Sequence, residues 1–152
     1  MAQAGRALWE EHVLMYLATV RADGSPRVHP VVPVLAEGSV FVAIASRSPK
    51  WRDLQAEPRC VLHGLPGPRD DEFLMRCRGT EVPGVLDRVR AAAAHTIHDD
   101  DRLLQFDIQQ VDHGWWEHVG RPDTYPIRRR WTPTGGVTNL RAGRNQTASG
   151  NP

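Results

Sequence analysis

Short apolar segments alternate with tight-turn signals along most of the chain, and this pattern limits the fold more than any other feature of the sequence. Residues 16–20 and 26–35 flank Asp23-Gly24, a pair that supplies the positive φ of a hairpin turn. Apolar or alternating runs predict further strands over residues 40–45, 59–64, 72–82, 102–111, 115–119 and 125–131. Short strands joined by tight turns, with two or three helices, favour a small antiparallel barrel.

Helices are predicted over residues 7–15, 49–57 and 85–97, where apolar side chains recur at helical spacing or where capping signals begin a turn. A chain of 152 residues has the length of one domain. Its last twenty residues are rich in Gly, Thr, Asn, Ser and Arg and carry few apolar groups. We therefore predict a barrel domain over residues 1–132 and a disordered tail over residues 133–152.

The charge balance argues against nucleic acid and membrane surfaces as partners, because the formal net charge is only +1. No apolar stretch has the length that a membrane helix needs, and the first residues lack the form of a signal peptide. We therefore expect a soluble, cytoplasmic protein. Cys60 and Cys77 lie in apolar, strand-like runs, which favours buried thiols over a disulfide or a metal pair.

The most specific chemical signal is Ser48-Pro49-Lys50, which follows an apolar run that reads as a buried strand. Ser48 is a favourable N-cap, and Pro49 suits the first helical position, where its missing N–H has no intrahelical partner. A helix start has free N–H groups and a partial positive charge that suit an anion, and Arg47, Lys50 (the only lysine) and Arg52 surround this one. The pattern indicates a phosphate site, although many capped helices after strands bind nothing.

The predicted strand at residues 26–35 carries three prolines, each of which removes a ladder donor. We therefore place it at a sheet edge, at a bulge or where backbone groups face a ligand. Alternation puts Arg27 and His29 on one face and Val28, Val32 and Val34 on the other. Arg and His beside an anion-binding helix start are a sharper signal than either part alone. The structural alternative is a solvated edge charge at Arg27 and a packed polar side chain at His29.

Three other groups of residues invite a functional interpretation. His95 and His98 lie three residues apart, but a metal site needs a third ligand and the acidic run 99–101 resembles a solvated helix end, so no metal is predicted. The pair Trp115-Trp116 is typical of a core or a dimer interface. Arg128-Arg129-Arg130 indicates either a strand paired with acids or a site for the anionic tail of a cofactor.

Seven short motifs follow one another in an order that is itself informative. They are Leu17-Ala18-Thr19-Val20, Asp23-Gly24, Pro26-Arg27-Val28-His29-Pro30, Ser48-Pro49-Lys50, Arg52-Asp53-Leu54, Glu57-Pro58-Arg59 and Leu62-His63. This order resembles that of the pyridoxamine 5′-phosphate oxidase-like split-barrel flavoproteins. The resemblance covers about residues 10–82 and continues more loosely to Trp131. Pro49 stands where that family commonly has an arginine, which removes one phosphate cation.

The resemblance implies a mainly β fold, namely a six-stranded antiparallel split barrel with Greek-key topology and two to four peripheral helices. It also implies a homodimer with FMN at the interface. Arg27 and Lys50 would share the phosphate, and Ser48 would add a hydroxyl. The other implied contacts are a loop contact from Ser46 and backbone contacts to the ring or ribityl chain from Val28, His29 and Pro30.

The function implied is hydride or electron transfer between the flavin and a small molecule, with no catalytic side chain identified. Pyridoxamine phosphate oxidation itself is not expected, since no second phosphate site is found near the carboxyl end. Two alternatives follow from related members: a reductase that uses the deazaflavin coenzyme F-420, and a protein that binds a cofactor or haem without turnover. Haem has candidate ligands but no distinctive motif at His29, His63, His95 and His98. A barrel that binds no ligand also stays open.

Overall fold

The structure, a computed structural model, describes residues 14–64 and 71–140. This part of the chain is mainly β, as predicted, with nine antiparallel strands in one sheet and two helices. The strands are β1 (Met15–Val20), β2 (Pro26–Val31), β3 (Pro33–Ala36), β4 (Ser39–Ala45), β5 (Arg59–Gly64), β6 (Glu72–Glu81), β7 (Asp101–Glu117), β8 (Tyr125–Thr132) and β9 (Gly136–Leu140). The helices are α1 (Pro49–Ala56) and α2 (Leu86–Ala92).

The chain itself joins the two ends of the sheet into a ring. The strand order is β2-β1-β5-β6-β7-β4-β3, and only Val32 separates the two end strands along the chain. β5, β6 and β7 are neighbours in sequence and in space, and β4 returns to lie beside β7, which is a Greek-key arrangement. With β2 and β3 counted as one bent strand, the ring has six members. The sheet has nine strands and not the predicted six, because the strand formed by β2 and β3 is broken and because β8 and β9 extend the sheet from β7.

The strand predicted over residues 26–35 is broken at Val32. Pro26 and Pro30 lie in β2, which pairs with β1, and Pro33 begins β3, which pairs with β4. Because proline lacks an N–H, it is tolerated at strand starts and along edges. The prediction of an edge or a bulged segment is confirmed, whereas a single strand over the whole range is wrong.

The second half of the chain differs from the prediction in the lengths of its elements. Residues 102–111 and 115–119 were predicted as two strands, but β7 is one strand of 17 residues, because Gly114 stays in register with β6 and β8. β7 ends before His118, whose φ of 55° leaves the extended region. The helix predicted over residues 85–97 is shorter, since α2 has seven residues.

The prediction for the carboxyl-terminal segment is wrong in part. β9 pairs with β8 over Gly136–Leu140, where the sequence predicts disorder. Residues 141–152 lie outside the described residues, as does most of the helix predicted over residues 7–15, whose last residue, Met15, begins β1. The domain boundary at residue 132 stays a prediction. No helix in the described part of the chain is long and apolar enough to cross a membrane.

The main hydrophobic core lies inside the ring, where Leu17, Leu62 and Leu104 are fully buried. Leu54 of α1 belongs to this core, and its burial positions the helix that carries the Ser48-Pro49-Lys50 motif. A second, smaller cluster joins α2 to β3, β4 and β7. The core therefore holds α1 against the barrel at the place where the sequence predicts an anion site.

The two cysteines are free and buried, as predicted. Cys60 and Cys77 stand opposite each other in the β5–β6 register. Burial raises the pKa of the Cys60 thiol to about 12, and the pKa of Cys77 is raised by the same cause. Thiols that stay protonated at neutral pH are poor nucleophiles, and both side chains belong to the hydrophobic core of the barrel.

Candidate functional site

The helix start begins where the sequence predicts. Ser48 is extended, with φ −65° and ψ 137°, and Pro49 opens the first turn of α1. The Ser48 N–H donates to the Ala45 carbonyl oxygen at 2.8 Å, and the Trp51 N–H donates to the Ser48 carbonyl oxygen at 3.1 Å. The predicted side-chain cap is wrong, because the Ser48 hydroxyl makes no bond to the helix. Within residues 14–64 and 71–140 that hydroxyl has no hydrogen-bond partner, so it is available to a ligand.

Lys50 lies in the first turn of α1 and is half-buried. Its ammonium group has no ion pair and no hydrogen bond within residues 14–64 and 71–140. Burial lowers the pKa of Lys50 below its usual value, since the charged form loses water without gaining a counter-charge. An anion bound at this helix start would supply that counter-charge.

Arg27 reaches from β2 to α1, where it meets a buried carboxylate. The Arg27 Nε donates to Asp53 Oδ2 at 2.6 Å, and the Thr19 hydroxyl donates to the same oxygen at 2.9 Å. Asp53 is only 8% exposed and Thr19 only 2%. Thr19 and Arg27 are direct partners in the β1–β2 register, so both side chains leave the sheet on the same face. The alternative of a solvated edge charge at Arg27 is therefore wrong.

One face of α1 brings the anion-site residues to the barrel. Lys50, Asp53 and Leu54 are spaced three and four residues apart, so they are neighbours along one side of the helix. Leu54 anchors this side in the core, and Asp53 binds Arg27. The arrangement places the Arg27 guanidinium against the helix face that carries Lys50. Whether both cations bind one phosphate stays a prediction.

The other predicted contacts on β2 lie at the surface. Val28 is 57% exposed, and His29 and Pro30 are exposed as well. The register places His29 opposite Leu17, on the same face as Arg27, which agrees with the predicted alternation. His29 is not the packed polar side chain of the alternative interpretation. Ser46 is half-buried in the loop between β4 and α1.

Sequence reasoning missed Asp53 and Thr19 as members of the site, although both lie inside motifs that it singled out. A usable signal was present, because Asp53 precedes Leu54 and follows Lys50 by three residues in a short helix. A carboxylate next to the helix face that packs on the core is buried along with that face, and a buried carboxylate needs hydrogen-bond donors. The identity of those donors depends on the barrel, which brings β1 and β2 under the helix.

The histidines do not assemble into a metal site in the described part of the chain. His95 and His98 follow the end of α2, so they do not share a helix face. Within residues 14–64 and 71–140, no three His, Cys, Asp or Glu side chains lie close enough together to hold a metal ion. His63 has Glu72 as a neighbour, with 3.7 Å between its Nε2 and the Glu72 Oε1.

The three consecutive arginines of β8 are engaged in different ways. The Arg130 Nε donates to Asp112 Oδ1 at 2.7 Å, and Arg128 pairs with Glu72 at 3.3 Å. The Arg129 guanidinium lies 5.2 Å from the centroid of the Trp115 ring. The interpretation as a strand paired with acids is thus confirmed for Arg128 and Arg130.

Comparison with known proteins places the chain in a family. The sequence profile of the family described as pyridoxamine 5′-phosphate oxidase matches residues 1–117, which is most of the chain. The chain belongs to the pyridoxamine 5′-phosphate oxidase family. The resemblance seen in the sequence is thereby confirmed for the family. No curated protein matches the sequence.

Solved structures with the same fold include proteins with different ligands. A pyridoxamine 5′-phosphate oxidase-related, FMN-binding protein from Nostoc punctiforme PCC 73102 is 16% identical, with a TM-score of 0.70 over 92% of this chain and 96% of that one. PhzG from Burkholderia lata 383, in complex with tetrahydrophenazine-1-carboxylic acid, is 13% identical, with a TM-score of 0.66 over 93% and 88% of the two chains.

A third similar structure is a haem-binding protein from Mycobacterium smegmatis. It is 18% identical, with a TM-score of 0.63, and the match covers 82% of this chain. The chain spans only 57% of the length of that protein. At identities this low, the three similarities show a shared fold alone.

Proposed function

We propose that this chain is an FMN-binding oxidoreductase of its family, with the cofactor phosphate held at the start of α1. The observation that carries the proposal is Lys50, a half-buried cation that has no counter-charge among the described residues. The neighbouring Ser48 hydroxyl makes no hydrogen bond to any of those residues either. A phosphate supplies the missing negative charge, and its oxygens accept hydrogen bonds from backbone N–H groups of the kind that a helix start leaves free. The FMN-binding protein of similar fold from Nostoc punctiforme supports this class of ligand.

Arg27 takes the second phosphate contact in this proposal. Its Nε is held by Asp53, and its two terminal nitrogens make no hydrogen bond within the described residues, so they are free to donate to an anion. The Asp53 carboxylate compensates part of the Arg27 charge. Lys50 therefore carries the larger share of the phosphate interaction, especially since Pro49 replaces the arginine common in the family.

β2 orients the cofactor in this proposal. A bound flavin supplies hydride or electron transfer to or from a small-molecule substrate. In the described sheet β2 pairs only with β1, so its outer edge presents backbone groups without a partner strand. We assign the ring and ribityl contacts to this edge at Val28, His29 and Pro30, and a loop contact to Ser46.

We further propose that two copies of the chain form a homodimer, in the cytoplasm, with the cofactor between them. The outer face of β1 and β2 exposes Tyr16 (42%), Val20 (37%) and Val28 (57%). Contiguous apolar surface of this kind marks sites of association. A second copy seated on this face would also cover the ring contacts at β2 and exclude water from the transfer.

The test of the cofactor site is a fluorescence titration of the apo-protein with FMN and with riboflavin, which lacks the phosphate. Lys50→Ala should weaken FMN binding by about tenfold to a hundredfold, because a charge-assisted contact is worth about 1.5–3 kcal/mol. The same variant should bind riboflavin as the wild type does. Arg88→Ala, at an exposed arginine of α2 that pairs with Glu37, serves as the charge-matched control. Unchanged FMN affinity in Lys50→Ala would disprove the assignment of Lys50 to the phosphate site.

One observation favours a second candidate, the binding of haem. His29 is exposed on β2, near the proposed phosphate site at the start of α1, and the fold is similar to that of a haem-binding protein from Mycobacterium smegmatis. An imidazole in this position can serve as an axial ligand. Parallel titrations with FMN, coenzyme F-420 and haem separate the candidates, since each has its own absorption spectrum. Haem binding that disappears in His29→Ala, without FMN binding, would replace the first proposal with this one.

A further inference from the structure

A concave site lies on the outer face of β6, β7, β8 and β9. Its volume is about 300 Å³, and no residue of the α1 motif lines it. Its β6 side chains come from positions that alternate with the core residues Phe73 and Met75, so they point away from the barrel interior. This cleft is therefore separate from the proposed phosphate site at the start of α1.

The cleft has a surplus of positive charge. The side chains of three arginines, Arg76, Arg128 and Arg130, and of two carboxylates lie on this face, which leaves one formal positive charge. Arg129 lies on the opposite face of β8, where its guanidinium contacts the Trp115 ring. The whole chain of 152 residues has the same formal net charge of +1. Concentrated positive charge in a concave surface attracts anions more strongly than the same charge spread over a convex one.

Two of these arginines are held in place by the carboxylates. Asp112 accepts hydrogen bonds from Arg130, at 2.7 and 3.3 Å, and from the Gln110 amide at 2.7 Å. Burial acts to raise the pKa of Asp112, but the hydrogen bonds from Arg130 and Gln110 and the charges of Arg130 and Arg76 outweigh it and lower the pKa. Glu72 pairs with Arg128 at 3.3 Å. Both guanidinium groups are thus oriented before any ligand arrives, which reduces the entropic cost of binding one.

Arg76 is the arginine of the cleft with unused capacity. It is exposed, and within residues 14–64 and 71–140 no carboxylate lies within ion-pair distance of it. Its register partner on β7 is Gln110, the residue that donates to Asp112. Arg76 therefore stands beside the Asp112–Arg130 pair, with all of its guanidinium donors available.

Gly114 gives the cleft its depth. It lies between Glu72 and Arg128 in the registers of β6 and β8. A Cβ at this position would lie 3.6 Å from the Arg128 Cγ and 3.8 Å from the Glu72 Oε2. These are ordinary contacts, so a side chain here is sterically allowed and would occupy the space that glycine leaves open.

We propose that this cleft binds a small polyanion that carries phosphate or carboxylate groups. Its volume is at the lower end of the range for ligand pockets, which suits a compact molecule. Guanidinium groups bind the paired oxygens of both anions in bidentate fashion. The site adds to the proposed function and does not depend on it, because the two sites share no residue.

The experiment is isothermal titration calorimetry of the full chain with citrate and, separately, with inorganic phosphate. We expect saturable binding of at least one probe, and the two arms tell which anion the cleft prefers. Arg76→Gln should weaken binding of that anion about tenfold or more, because the substitution removes the unpaired guanidinium of the cleft and leaves both ion pairs intact. Gly114→Val should weaken the same binding to a similar degree without changing any charge.

Two control variants make the result decisive. Lys50→Ala tests whether the probe binds at the start of α1, and Arg88→Gln tests the effect of one positive charge elsewhere on the surface. Binding that persists in both controls and falls in Arg76→Gln and Gly114→Val supports the cleft. The proposal is overturned by absence of saturable binding, by loss in Lys50→Ala with retention in Arg76→Gln, or by equal loss in Arg88→Gln and Arg76→Gln. FMN affinity should stay unchanged in Arg76→Gln whichever way the proposed function is decided.

Discussion

At the residue scale, Asp53 determines how Arg27 is used. The carboxylate is buried, and one of its oxygens accepts both the Thr19 hydroxyl and the Arg27 Nε. Burial of a charge is costly unless donors surround it, and these two donors come from β1 and β2. The contact therefore ties α1 to the first hairpin and also orients a cation of the proposed phosphate site.

Asp53→Ala should lower the free energy of unfolding by about 1–3 kcal/mol, because it leaves the buried Thr19 hydroxyl and the Arg27 guanidinium without their partner. Thr19→Val should lower the free energy of unfolding by less than Asp53→Ala does, since it removes one hydrogen-bond donor and keeps the Arg27–Asp53 ion pair. Urea unfolding followed by circular dichroism measures both. Asp100→Ala, at an exposed turn position, is the control. Equal stability of Asp53→Ala and the control would show that the network contributes nothing.

At the element scale, local signals set both ends of α1. Pro49 opens the helix, and Pro58 disfavours helical geometry at Glu57, which has φ −136° and ψ 101°. The Glu57 carboxylate then accepts hydrogen bonds from the Arg59 side chain, at 2.9 and 2.7 Å, and from the Arg59 N–H at 3.0 Å. These bonds, the side-chain ones first, lower the pKa of Glu57 to about 2.

The stability that Glu57 contributes should depend on pH. Because its pKa in the folded state lies below the ordinary value of 4.5, the contribution is complete above pH 4.5 and is lost as the pH falls toward 2. The difference in unfolding free energy between the wild type and Glu57→Gln should therefore shrink over that interval. Arg59→Gln, which removes the donor, should show the same trend. A difference that stays constant from pH 6 to pH 2 would contradict the assigned cause.

At the scale of the whole molecule, closure of the ring leaves one apolar face uncovered. Tyr16 lies opposite Pro30 on one side and opposite His63 on the other, so it sits in the middle of the outer surface of β2, β1 and β5. It is 42% exposed, and Val28 on the neighbouring strand is 57% exposed. This face is the one that the proposed homodimer would bury.

Tyr16→Glu should convert the proposed dimer to a monomer, because a carboxylate in an apolar interface is desolvated without a partner. Tyr125→Glu on β8 is a matched control, since Tyr125 is 44% exposed and lies on another part of the surface. Size-exclusion chromatography with light scattering measures the mass of each variant. A monomeric wild type, or a Tyr16→Glu variant that remains dimeric, would disprove the use of this face.

Features that depend on neighbouring residues were accessible from the sequence by itself. The turn at Asp23-Gly24, the start of α1 at Pro49 and the buried thiol of Cys60 were predicted from turn chemistry, proline geometry and apolar surroundings. The mainly β fold follows from the same signals, because period-two alternation and tight turns act over a few residues. The order of motifs, which belongs to one family, identified the residues of the proposed phosphate site.

Features that depend on pairing across the chain were decided only by the tertiary structure. The break at Val32 exists because β2 and β3 have different partners, and the 17-residue length of β7 exists because two neighbouring strands hold Gly114 in the ladder. Likewise, Arg27 and Asp53 are 26 residues apart and meet only when the closed barrel lays α1 over the first hairpin. Local preferences determine where strands and helices begin, but the energy of burial and of long-range hydrogen bonding determines which of them meet.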